Sequence, residues 1–117
     1  MRTAFLLALS AALGALAMPN PARAADPVFE DLRSKIAACQ AELDRDRALG
    51  PACVDEDETY SEVFHVFLPA HRSGLAHPDE DMSVLDRAND LRGQIAQVCG
   101  LPGRGQPAAC ADLRQFW

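Results

Sequence analysis

Apolar residues recur along this chain at steps of three and four, the spacing that keeps side chains on one face of an α-helix. Phe29, Leu32, Ile36, Cys39 and Leu43 make the first such stripe. Asp26-Pro27 suits its start, since Asp can cap free N–H groups, Pro fits the first helical position, and Glu30 and Asp31 complement the dipole. Gly50-Pro51 is expected to end it. A second helix follows in the stretch CVDEDETYSEVF, where Asp55 and Glu58 have the spacing of a capping box. Tyr60, Val63, Phe64 and Phe67 form its inward face, and Pro69 should stop it near Leu68.

The third helix opens at His77-Pro78, with Asp79, Glu80 and Asp81 in its first turn. Val84, Ala88, Leu91, Ile95 and Val98 give its stripe, with Cys99 on the edge of the same face. Gly93 is the only helix breaker inside a stripe, and Gly100, Pro102, Gly103 and Gly105 turn the chain into a loop. A short last helix, about Pro107 to Phe116, offers Leu113, Phe116 and Trp117 to close the core. Strand-like alternation and internal repeats are absent. The pattern predicts an all-α fold: a small antiparallel bundle of three main helices plus a short C-terminal helix.

The apolar run Ala4–Met18 belongs to a different kind of segment. Met1 and Arg2 precede it, Pro19 and Pro21 end it, and Ala22-Arg23-Ala24 offers small residues at the positions a signal peptidase reads. The expectation is a signal peptide over 1–24, cut after Ala24, and one mature domain over 25–117. The run is shorter than the roughly 20 residues a bilayer crossing needs, and no cysteine stands near the cut to carry a lipid. Export to the periplasm or beyond follows. The whole chain carries a net charge of −6; without Arg2 and Arg23, Lys+Arg falls from 11 to 9 against 17 acids, leaving −8. A surface of that sign repels phosphate backbones and anionic headgroups, so nucleic-acid and membrane partners are excluded, whereas a basic protein or a cation is attracted.

A domain of this size buries only about 60–65% of its unfolded surface and needs reinforcement. Cys39, Cys53, Cys99 and Cys110 all fall in the mature part and should form two disulfides. No pair has the Cys-x-x-Cys spacing of a zinc knuckle or a redox motif. If the first helix runs unbroken to Gly50, Cys39 lies roughly 15 Å below the turn, at 1.5 Å per residue. That is too far from Cys53, so the favoured pairing is Cys53–Cys99 with Cys39–Cys110. The sequential pairing, Cys39–Cys53 with Cys99–Cys110, requires the first helix to stop before Gly50.

The stretch FHVFLPAHRSGLAHPDED, 64–81, holds all three histidines. His65 points about 150° from the apolar face of the second helix, His71 lies in the connection and His77 precedes the next helix. Six-residue spacing puts no two together on a helix, unlike the i, i+4 pair of a helical metal site. If the loop folded back, His65, His71 and His77 with Asp79 or Asp81 could hold zinc or copper, which is the alternative function: a periplasmic metal-binding protein. No resident cofactor is otherwise expected. Ser34, Ser61, Ser73 and Ser83 have no nucleophile-elbow context, and the oxidised cysteines offer no thiol. The acidic run 55–58 lacks the alternating ligands and central Gly of an EF-hand. The leading expectation is a non-enzymatic exported protein that binds another, basic protein, as an inhibitor, immunity or chaperone-like factor. Phe116 and Trp117 are its candidate contact residues, unless they close the core.

Overall fold

A computed structural model describes residues 26–100 and 107–117; the expected leader over 1–24, its expected cleavage point and the loop residues Pro102, Gly103 and Gly105 lie outside them. Among the described residues the structure is helical, with no strand and with two disulfides. Helix α1 spans Pro27–Asp44 and buries Phe29, Leu32, Ile36, Cys39 and Leu43, the five residues of its predicted stripe. Asp26 occupies the cap position in extended conformation, and its carbonyl accepts from the amides of Phe29 and Glu30 at 2.9 and 3.0 Å. Its side chain makes no cap hydrogen bond; it is drawn to the third helix instead.

α1 stops six residues earlier than the Gly50-Pro51 signal suggests. Asp46 and Arg47 both take positive φ, 64° and 53°, and so reverse the chain at once. Gly50-Pro51 is a helix start: Gly50 is the cap of α2 (Pro51–Glu62) and Pro51 its first residue. Asp55 and Glu58 therefore lie inside α2 and form no capping box. The free amides of the α2 start are taken by Glu42, reaching across from α1. Its Oε1 accepts from Gly50 and Cys53 at 2.8 and 2.9 Å, and its Oε2 from Ala52 at 3.2 Å.

α2 does not end at Leu68. It widens into a π-helical turn, Val63–Phe67, and runs on as an α turn, Leu68–His71, and a 3₁₀ turn, Arg72–Gly74. In the π turn the Leu68 amide donates to the carbonyl of Val63, five residues back. This loosened register directly precedes Pro69, which has no N–H to give and would clash with a regular ladder. The extra residue also shifts the helical phase. Val63 and Leu68 are buried, Phe67 is half-buried against the ring of Phe29, and Phe64, expected inside, is 46% exposed.

α3 spans Pro78–Gly100 and buries Val84, Leu85, Ala88, Leu91, Ile95, Val98 and Cys99. α4, Ala109–Arg114, is shorter than predicted and contributes Leu113, fully buried, while Phe116 beyond it is half-buried and Trp117 exposed. α1 packs against both α2 and α3, and α4 against α2. The core is thus built on α1, and each fully buried Leu, Ile or Phe contributes about 1.5–3 kcal/mol.

The bridges are Cys39–Cys53 and Cys99–Cys110, which corrects the favoured pairing. The early end of α1 is the reason. Cys39 sits in its last turns, Cys53 in the first turn of α2, and the tight reversal between them brings the two Cα atoms to 4.3 Å.

Candidate functional site

α2 carries a second face that the acidic run conceals. Cys53, the adjacent pair Glu56 and Asp57, Tyr60 and Val63 recur at three- and four-residue spacings along one face, and all five are buried. Asp57 is satisfied there by two donors from elsewhere in the chain. Arg92 of α3 grips its Oδ1, with Nη2 at 2.7 Å and Nε at 2.9 Å. The indole Nε1 of Trp117 donates to its Oδ2 at 3.0 Å. The Arg92 guanidinium also lies over the ring of Tyr60, 4.6 Å from its centre, a cation–π contact.

Glu56 is as buried as Asp57, and neither of its carboxyl oxygens makes a hydrogen bond within the protein. Burial, joined by the charge of Asp57 and only partly offset by Arg92, pushes its pKa up to about 8. Glu56 is therefore a neutral carboxylic acid over most of the physiological range. Burial likewise raises the Tyr60 hydroxyl. The cluster joins α2, α3 and the C-terminal residue through one ion pair.

A second cluster joins the starts of α1 and α3. Asp81 is fully buried, and its Oδ1 accepts from the Asp26 amide at 3.0 Å. His77 Nδ1 lies 3.8 Å from Asp26 Oδ1. Burial, then the hydrogen bond with Asp26, pushes the Asp81 carboxyl up to about 6, while that same hydrogen bond from Asp81 holds Asp26 below its ordinary value.

The third feature is a surface groove between the start of α1 and the π turn, walled by Val28, Val63, Val66, Phe67 and Ala70, with Asp31 and Glu62 on its rim. Lys35, the rim cation, is held at 3.4 Å by both Asp31 and Asp55 and donates to Thr59 at 2.9 Å. Val66 is 68% exposed, and Phe64 projects from the same turn.

The predicted metal residues fall in separate settings. His65 is exposed beside Phe64, with ring centres 5.2 Å apart. His71 stacks on Phe67 at 4.2 Å and its Nδ1 lies 3.0 Å from the Phe67 carbonyl. His77 faces Asp26, Asp79 is exposed, and Asp81 is buried against Asp26. Among the described residues no group of three or more His, Cys, Asp or Glu side chains is placed to hold a metal ion. Of the candidate contact residues, Trp117 is 48% exposed and tethered to Asp57. Glu56, Asp57 and Arg92 were not singled out in the sequence. The signal was present in the helical phase of Cys53, Tyr60 and Val63, which places 56 and 57 on the same face. No protein family, curated protein or solved structure matches this chain.

Proposed function

We propose that this chain is an exported, non-enzymatic helical protein that works by binding another protein of net positive charge. The groove beside the π turn is its contact surface. One observation carries the reading: Val66 stands 68% exposed in a groove that it lines together with Val28, Phe67 and Ala70. Exposed apolar surface of this kind is a binding feature when it is grouped and rimmed by polar residues. Asp31 and Glu62 on the rim, with a net charge of −6 for the chain, favour a basic partner and speed its approach.

The export reading is supported by the oxidation of all four cysteines, which is rare inside a reducing cytosol. Among the described residues no helix is long and apolar enough to cross a membrane. Short connections between consecutive helices support an antiparallel arrangement of the three long ones.

A photo-reactive amino acid placed at Val66 in exported protein tests the assignment, with Gln97, exposed on α3, as the control position. The expected result is an adduct with a basic protein from position 66, none from position 97, and loss of the adduct in Glu62→Arg. Equal adducts from both positions, or none from 66, overturn it.

A further inference from the structure

We propose that the cleft between α2 and α4 is a receptor for an arginine side chain of the basic partner. The proposal rests on the partner reading above, but the cleft shares no lining residue with the groove at the π turn.

Helical phase builds the cleft. Pro51, Val54, Asp55 and Glu58 hold the i, i+3, i+4 and i+7 positions of one face of α2, and all four line it. Across from them stand Ala108, Ala109 and Asp112 of the α4 segment. Leu49 and Val54 pack against the core, so the floor is apolar and fixed. The α4 wall is fixed as well, because Leu113 is fully buried and Cys110 is bridged to Cys99. A side chain that enters finds its walls already in place, which keeps the ordering cost of binding low.

Charge selects the occupant. The charged residues that line the cleft, Asp55, Glu58 and Asp112, are all acids, and all three are exposed at its rim. Asp55 shares Lys35 at 3.4 Å, whereas Glu58 and Asp112 pair with no cation among the described residues. The acids are divided between two helices and do not gather as the ligands of a metal ion would. A hydrated ion also gains nothing from an apolar floor. Arginine fits both features. Its stem lies along Pro51, Val54 and Ala108, while a flat, weakly hydrated guanidinium with five donors serves carboxylates on both walls. The compact ammonium of lysine serves one wall at a time.

The test uses the exported, oxidised protein and N-acetylarginine amide as the probe, followed through the backbone amide signals by NMR. The expected result is a joint, saturable shift at Val54, Ala109 and Asp112, with none from the neutral isostere N-acetylcitrulline amide. Glu58→Gln with Asp112→Asn weakens arginine binding about fivefold. Asp79→Asn with Asp90→Asn removes the same charge from exposed positions of α3 and leaves binding unchanged. Shifts from citrulline, shifts spread over every exposed acid, or equal losses in the two double variants overturn the site. So does a parent that takes no arginine until Arg104→Ala is made, since an arginine of the chain itself then fills the cleft. The adduct at Val66 separates the two readings. An adduct unchanged by Glu58→Gln with Asp112→Asn overturns this inference alone, and no adduct overturns the partner reading together with it.

Discussion

At the scale of single residues, the acids of the run 55–58 differ by helical phase alone. Asp55 and Glu58 are exposed, whereas Glu56 and Asp57 are fully buried one residue away. Asp57 has two donors, Arg92 at 2.7 Å and the Trp117 indole at 3.0 Å. Glu56 has no such donor, so burial decides its behaviour and its pKa rises to about 8. The sign of the linkage follows. A carboxyl whose folded pKa exceeds its unfolded value near 4.5 stabilises the fold fully below pH 4.5, and that contribution is lost as pH rises toward 8. Glu56→Gln removes the titration and keeps the shape. The expected outcome is a gain of about 1–4 kcal/mol over the parent at pH 8, shrinking toward nothing at pH 4. Urea unfolding at a series of pH values measures it. An unchanged pH slope between 5 and 8 would show that Glu56 is hydrated or partnered in solution.

Asp57 gives the complementary case. Removing one partner of a buried ion pair is costly, about 3–5 kcal/mol, because the other charge is left unpaired. Arg92→Met should destabilise by that order at neutral pH, whereas Trp117→Phe, which deletes a single donor to a carboxylate already held by Arg92, should cost only about 1–2 kcal/mol. The same unfolding titration compares the two. Equal losses would mean that the indole supports Asp57 as much as the guanidinium does.

At the scale of elements, α1 and α3 were legible because their apolar stripes are long and uninterrupted. The buried residues of α1 are those of its stripe, and those of α3 include all five and Cys99, with Asp81 and Leu85 added. Boundaries were harder to read, for a physical reason. Gly-Pro serves equally well after one helix and before the next, and only the reversal at Asp46 and Arg47 decides between them. Glu42 then does what a local cap would do. It holds three amides at the α2 start from a different helix, a relation that no window of sequence contains. Glu42→Ala should cost about 1–2 kcal/mol, as loss of a charged N-terminal cap does. A melting curve taken with both disulfides verified intact is the check, and a change under about 0.3 kcal/mol would mean that water replaces the carboxylate.

At the scale of the whole molecule, the two bridges each clip neighbouring segments, α1 to α2 and α3 to α4. Separations of 14 and 11 residues correspond to roughly 3 kcal/mol apiece in the chain-entropy picture. Against a total stability of about 5–15 kcal/mol for a small domain, losing both is decisive. Reduction should therefore unfold the protein or lower its melting temperature by well over 10 °C, and far-ultraviolet circular dichroism with and without reductant measures this. The contact between α1 and α3 carries no disulfide; packing, the Asp26–Asp81 hydrogen bond, the Arg33–Glu80 ion pair and the Gln40–Gln94 amide pair hold it.

The sequence by itself determined the helical class, most core residues of α1 and α3, the net negative charge and the presence of two disulfides. Each follows from periodicity, composition or count, properties that survive in one dimension. Tertiary structure alone decided which cysteines meet, that Glu42 caps α2, that Glu56 is buried without a donor, and that Phe64 and Val66 face outward. Those outcomes depend on where the chain reverses and on one extra residue in a helical turn. A shift of one or two residues there rotates a face or moves a partner by several ångströms, and no local pattern records it.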